Sequence, residues 1–217
     1  EASSSVKEPT VRRHFKWMRE YGIDGVFVQR FATSARDPRH RASMDTMLGH
    51  CKTAANAESR KWVLMYDLSG LRADNYQLVS EDWQRLKSEG KWSAEDPAYL
   101  NYRGKPLVSI WGLGFNDRAP CLPEWETLVR FFKDNGCAVM LGVPCYWRTF
   151  DRDTIDDPKL HEIISMADIV SPWAVPGWDS SHGNLLLHRT PAGGLPLIVN
   201  DRLAAGVPGV DSPVTLR

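Results

Sequence analysis

The sequence predicts an α/β fold built on a parallel sheet, and three observations carry that reading. First, five short apolar runs recur: residues 25–31 (GVFVQRF), 62–70 (WVLMYDLSG), 107–117 (LVSIWGLGFND), 139–148 (VMLGVPCYWR) and 169–173 (IVSPW). A buried parallel strand is apolar on both faces, so it reads as a run and not as an alternation. Second, their starts fall about 30 to 45 residues apart, and each interval has room for one helix. Strands interleaved with helices through short links mean a parallel sheet. Third, each run ends in polar and aromatic residues, which is where a (β/α) barrel places its active-site mouth. Doubly wound sheets share the alternation, so counting elements does not choose between barrel and open sheet.

The elements follow in order. Residues 1–9 are polar and Ser-rich, a loose lead-in. Pro9 and Thr10 open a helix through Tyr21, with Val11, Phe15 and Met18 on one face, and Gly22 ends it. After the first run, a basic polar loop over 32–41 leads to a second helix over 42–59, with Met44, Met47, Leu48 and Cys51 on its buried side. The second run precedes a helix over 80–89, with Ser80 as its cap. Residues 91–103 form an aromatic insertion, and Arg103-Gly104-Lys105-Pro106 reads as a turn into the third run. Pro123 starts a fourth helix that Gly136 closes. An acidic loop over 151–157 follows the fourth run, and Pro158 opens a fifth helix ending near Met166. Beyond Trp178 the chain turns rich in Gly, Pro, Ala and Leu, with one apolar run at 195–199. The expected organisation is therefore a partial barrel domain over 1–178 and a divergent or truncated tail over 179–217.

Composition narrows the function classes. Length, at 217 residues, suits one domain with a sizeable core but falls short of the roughly 250 that a closed eight-stranded barrel usually takes. Charge is balanced, with 27 basic and 27 acidic residues, which argues against electrostatically driven binding to nucleic acid. No apolar run approaches the roughly 18 residues of a membrane span. Cys51, Cys121, Cys137 and Cys145 show no C-x-x-C, and the histidines show no H-E-x-x-H, so a metal site has little support. Gly112-Leu113-Gly114-Phe115 does not complete a dinucleotide-binding glycine motif, and neither a Walker loop nor a G-x-S-x-G elbow occurs. No cofactor is expected.

Strand ends supply the candidate site. Gln29 and Arg30 end the first strand, Tyr66 and Asp67 the second, and Trp111 the third, with Asn116 and Asp117 in its loop. Tyr146, Trp147 and Arg148 end the fourth, and Trp173 the fifth. Converging on one mouth, these would set hydrogen-bonding groups among aromatic platforms. Sugars call for that mixture, because their apolar faces stack on Trp or Tyr while their hydroxyls bond to Asp, Gln and Arg. Structural readings stand beside it: Arg30 and Asp67 as an ion pair bracing strand ends, Tyr146 and Trp147 as core caps, Trp111 as core. Nine Trp likewise divide between stacking surfaces and core fillers.

Five stretches together resemble glycoside hydrolase family 99, the endo-α-mannosidases and endo-α-mannanases. They are 14–31 (HFKWMREYGIDGVFVQRF), 65–70 (MYDLSG), 104–117 (GKPLVSIWGLGFND), 140–148 (MLGVPCYWR) and 171–175 (SPWAV), covering about residues 10 to 175 in the family's order. The resemblance implies a (β/α)8 barrel that cleaves internal α-mannosidic bonds with retention of configuration. One carboxylate would deprotonate the sugar's own 2-hydroxyl to give a 1,2-anhydro sugar, and a second would protonate the leaving oxygen, then activate water. It also implies a periplasmic or extracellular setting and an α-mannose-containing glycan as partner. On the matching motifs, Tyr146 falls near the reacting sugar, and Gln29, Asp67 and Trp147 fall at the mouth. Arg30, Tyr66, Asp117, Arg148 and Trp173 complete the expected sugar-binding set.

The family's two glutamates, three apart on a late strand, have no counterpart here. After Trp178 the carboxylates are Asp179, Asp201 and Asp211, without any Glu. The family's first strand is absent too, and Pro176-Gly177-Trp178 replaces a Gly-Arg-Tyr-like stretch. The chain is therefore expected to hold strands two to six of the barrel, and no catalytic residue is assigned within it. Two other readings stay open: a non-catalytic carbohydrate-binding remnant, and a different barrel hydrolase using Asp67.

Overall fold

The computed structural model describes residues 6–173, and the tail expected over 179–217 lies outside the described residues. Parallel strands Gly25–Phe31 (β1), Lys61–Asp67 (β2), Lys105–Trp111 (β4), Ala138–Val143 (β5) and Ile169–Pro172 (β6) lie side by side in chain order. A two-residue strand, Asn101–Tyr102 (β3), pairs antiparallel with the start of β4. Helices Glu8–Glu20 (α1), Pro38–Ala57 (α2), Gln77–Ser88 (α3), Leu122–Asp134 (α4) and Lys159–Ser165 (α5) alternate with the parallel strands.

All five helices pack on one face of the sheet. Val11 and Phe15 of α1, Leu48 and Ala55 of α2, Trp83 of α3, Phe132 of α4 and Ile163 of α5 share one buried cluster with Val28, Leu64, Ile110, Leu141 and Val170 from the strands. The strand residues of opposite parity, Val63, Leu107, Ala138, Met140 and Ile169, form a second cluster without any helical residue. Successive side chains of a strand point to opposite faces, so each strand divides cleanly between the two layers. A doubly wound sheet reverses its strand order and carries helices on both faces. Neither holds among the described residues.

Two expected boundaries move. The loop expected over 32–41 is mostly helical: a 3-10 turn spans Ala32–Arg36, and α2 begins at Pro38. The Asp37 carboxylate accepts the Arg39 N–H at 2.7 Å, capping a helix whose first residue is a proline, so the start signal was Asp-Pro. Ser80 does not cap α3, which starts three residues earlier; its hydroxyl donates instead to the Gln77 carbonyl at 2.9 Å, inside the first turn.

The aromatic insertion over 91–103 closes the N-terminal end of the sheet. Tyr99 is fully buried, stacks edge-on against Trp62 at 4.8 Å, and donates its hydroxyl to the Leu107 carbonyl at 2.7 Å. Arg103 and Gly104 both adopt left-handed backbone (φ 50° and 78°), the two-residue turn that a tight β3–β4 hairpin requires. One end of the sheet is thus sealed, and the sequence candidates gather near the other, at the C-terminal ends of the strands.

Cys51, Cys121 and Cys137 are buried and unpaired. Burial pushes the Cys51 and Cys137 thiols up to about 11, so at neutral pH both act as small apolar fillers. Of the tryptophans, Trp62, Trp83, Trp92, Trp125 and Trp147 are core residues. Trp111 and Trp173 stand apart from them at the C-terminal edge. No helix among the described residues is long and apolar enough to cross a membrane.

Candidate functional site

The face that carries no helix among the described residues is built in lateral rows, because the strands pair in strict parallel register. The lowest row, Phe27, Val63, Leu107 and Ala138, is apolar. Gln29, Met65, Ser109, Met140 and Ile169 make the next. The top row is Phe31, Asp67, Trp111, Gly142 and Ser171, with Trp173 one step beyond it. Polarity and accessibility rise together toward this edge: Gln29 is exposed, and Phe31 and Trp173 are 43% and 48% exposed.

Two pairings organise this end of the face. Gln29 Nε2 donates to Asp67 Oδ2 at 2.7 Å, and the Ser69 N–H donates to Asp67 Oδ1 at 2.8 Å. Asp67 is itself buried, so it acts as an anchor that orients the exposed Gln29 amide. Beginning on the next strand, the rings of Trp111 and Trp173 lie 5.2 Å apart at a tilt of 59°. Trp173 is tied to the sheet by its N–H, which donates to the Val143 carbonyl at 2.8 Å. Arg118 braces the loops between these pairs, with Nη1 donating to the Gly112 carbonyl at 2.9 Å and Nη2 to Ser69 Oγ at 3.4 Å. The result, among the described residues, is an open shelf with an oriented amide on one side and two indoles on the other.

The other sequence candidates go elsewhere. Arg30 and Tyr66 do not reach the mouth; both point into the helix layer, because each is the strand neighbour of a shelf residue. Arg30 Nε and Nη2 donate to the two oxygens of Asp82 at 2.6 and 2.9 Å, and Nη2 also donates to Asp45 at 2.7 Å. The Tyr66 hydroxyl donates to Asp82 at 3.1 Å. Arg85 and Lys91 complete the network on Asp45. Burial alone would raise the Asp45 and Asp82 carboxyls, but the arginine hydrogen bonds and charges hold both below the usual carboxylate range. The alternative reading, an Arg30–Asp67 ion pair, is not realised, since the two side chains leave the sheet on opposite faces.

Trp147 is also corrected. It belongs to the helix-side core, where its carbonyl accepts from His161 Nε2 at 2.7 Å and its ring meets the His161 ring edge-on. The turns after β5 fold it back under α5. Arg148 lies over the Trp147 ring at 4.9 Å, and Arg152 over the Tyr146 ring at 5.0 Å. Tyr146 is half-buried, its backbone held by Asp153. Asp117 is exposed and reaches the shelf only through Arg118, 3.5 Å away. Of the nine sequence candidates, Gln29, Asp67 and Trp173 are brought together with Trp111.

Phe31, Ser171 and Arg118 were missed as site residues. Strand parity was the signal for the first two: residues at even spacing from Gln29 and Trp173 share their face. Nothing local marks Arg118, whose role depends on where two loops meet. Among the described residues no group of three His, Cys, Asp or Glu side chains is placed to hold a metal ion. No protein-family model matches the chain, and no curated protein matches it either.

Proposed function

We propose that this chain is the sugar-binding arc of a (β/α)8 glycoside hydrolase of the family 99 type, directed at α-mannosides. The observation that carries the reading is the shelf itself: Gln29 oriented by Asp67, beside the Trp111–Trp173 pair, on one open edge of the sheet. A hexopyranose has an apolar face of C–H groups and a rim of hydroxyls. An indole accepts the first, and a side-chain amide, donor and acceptor at once, matches the second. Asp67 takes one N–H of Gln29, which leaves the second N–H and Oε1 to meet a ligand hydroxyl. Chain-order strands with a one-sided helix layer support an arc of a barrel.

Binding without cleavage is the expected behaviour. The resemblance places two glutamates on a late strand, and no glutamate follows Glu162 in this sequence. Asp67 is poorly suited to replace them as a catalytic group, being buried and already engaged on both oxygens. It positions Gln29.

Titration of the 217-residue chain with α-1,2-mannobiose, followed by protein NMR, tests this reading. Saturable shifts at the Gln29 amide and the indole N–H groups are expected, with no release of mannose. Gln29→Ala should weaken binding about tenfold, the worth of one good hydrogen bond. Lack of saturable binding, or turnover of the disaccharide, would overturn it.

A further inference from the structure

Gly142 holds an unusual place in the shelf. Its φ is not in the left-handed region, so the backbone does not demand glycine there. The demand comes from Trp111. A Cβ built on Gly142 would lie 1.8 Å from Trp111 Cε3 and 2.4 Å from Cδ2, far inside any real contact. The Trp111 indole therefore lies directly across the β5 backbone, using the missing side chain as its floor. Gly142 cannot retreat to make room, because its carbonyl accepts from both the Gly112 and Leu113 N–H groups, at 3.0 and 3.2 Å. Its neighbours in the strand pair with β4 and β6 on either side. A side chain at 142 would displace the ring and leave the strand where it is.

We infer that Gly142 is a positioning residue that creates a stacking subsite for a pyranose ring. By letting Trp111 lie flat on the sheet, it brings that indole to 5.2 Å from Trp173 and turns two aromatics into one angled platform. The 59° tilt gives the platform a shallow corner, which fits a ring entering edge-first against one indole with its C–H face on the other. A larger residue at 142 would stand the indole up and divide the shelf between Gln29 and Trp173. The pyranose part of this inference rests on the proposed function; the role of Gly142 in placing Trp111 does not.

The test combines a structural and a binding readout on the full chain. In the wild-type protein, nuclear Overhauser contacts between the Trp111 and Trp173 rings are expected, and Gly142→Ala should abolish them while the Gln29 side-chain amide signal stays in place. Mannobiose affinity should fall about tenfold in Gly142→Ala. In a Trp111→Ala background, adding Gly142→Ala should change neither stability nor affinity, because the ring it would strike is gone. Should Gly142→Ala alone fail to fold, the double variant must recover folding. Retained ring contacts in Gly142→Ala, or a further loss on adding it to Trp111→Ala, would overturn the inference. If the wild-type chain binds no mannoside, the functional reading fails, and the ring contacts alone still decide the role of Gly142.

Discussion

Gln29 and Arg30 are adjacent in one strand, as are Tyr66 and Asp67, yet the members of each pair lead to chemically opposite regions. On the helix side, Arg30 and Tyr66 enter a network with Asp45, Asp82, Arg85 and Lys91 in which every oxygen of the two carboxylates is answered, with Arg85 Nε left over among the guanidinium groups. On the open side, Gln29 and Asp67 form a single oriented pair with hydrogen-bonding capacity to spare. A polar cluster whose carboxylates are all answered holds elements together; one that is anchored but unfinished is available to a ligand. Burial makes the same division, since Arg30 is 2% exposed while Gln29 lies at the surface.

The largest test of this contrast removes the centre of the closed network. Arg30→Met keeps most of the volume but leaves Asp82 buried without its main partner, while Asp45 keeps Arg85 and Lys91. Denaturant unfolding should show a loss of about 3–5 kcal/mol, the usual cost of orphaning a buried charge. Asp67→Asn, on the open side, should cost less than about 1 kcal/mol, because Gln29 can turn its amide and offer Oε1 to the new Asn N–H. Equal losses in the two variants would erase the distinction.

Acid should act on the closed side next. Asp45 and Asp82 have folded-state pKa values below their unfolded ones, held there against the opposing effect of burial by hydrogen bonds from Arg85, Lys91 and Arg30 to Asp45 and from Arg30 and Arg85 to Asp82. Their contribution is therefore fully present above the unfolded carboxylate value of about 3.9 and is lost as pH falls from there through the lower folded values. Midpoints measured between pH 6 and pH 2 should fall below pH 4 in the wild type, and less steeply in a variant carrying Asp82→Asn. A parallel fall in both would show that other carboxylates dominate.

The smallest effect is expected at the rim of the same network. Glu89 accepts from Arg85 and Lys91 at the surface, where solvent screens the pairs. Glu89→Gln should leave the unfolding midpoint unchanged within error. A clear shift would mean that the closed network extends further outward than its buried core.

Much of the fold was legible in the sequence, for physical reasons that differ by element. The five apolar runs mark β1, β2, β4, β5 and β6 because strands buried on both faces cannot avoid being apolar throughout. Proline and glycine punctuation marked α1, α4 and α5 to within a residue or two, since the constraints are local. The start of α2 was misplaced because basic residues over 36–41 look like a loop until Asp37 is seen capping Pro38. The site was harder. Arg30, Tyr66 and Trp147 carry the right chemistry for a mouth, and composition alone cannot say which way each side chain leaves the backbone.

By itself the sequence determined the alternation of strands and helices, the presence of an aromatic insertion, and the polar ends of the strands, because these depend on local pattern and on what must be buried. Only the tertiary structure decided that the five described helices lie on one face, that Arg30 is answered by Asp45 and Asp82, and that Trp111 rests on Gly142 beside Trp173. Those outcomes depend on register between strands far apart in the chain. A one-residue change in parity exchanges the two faces, and with them the choice between an internal brace and a binding surface.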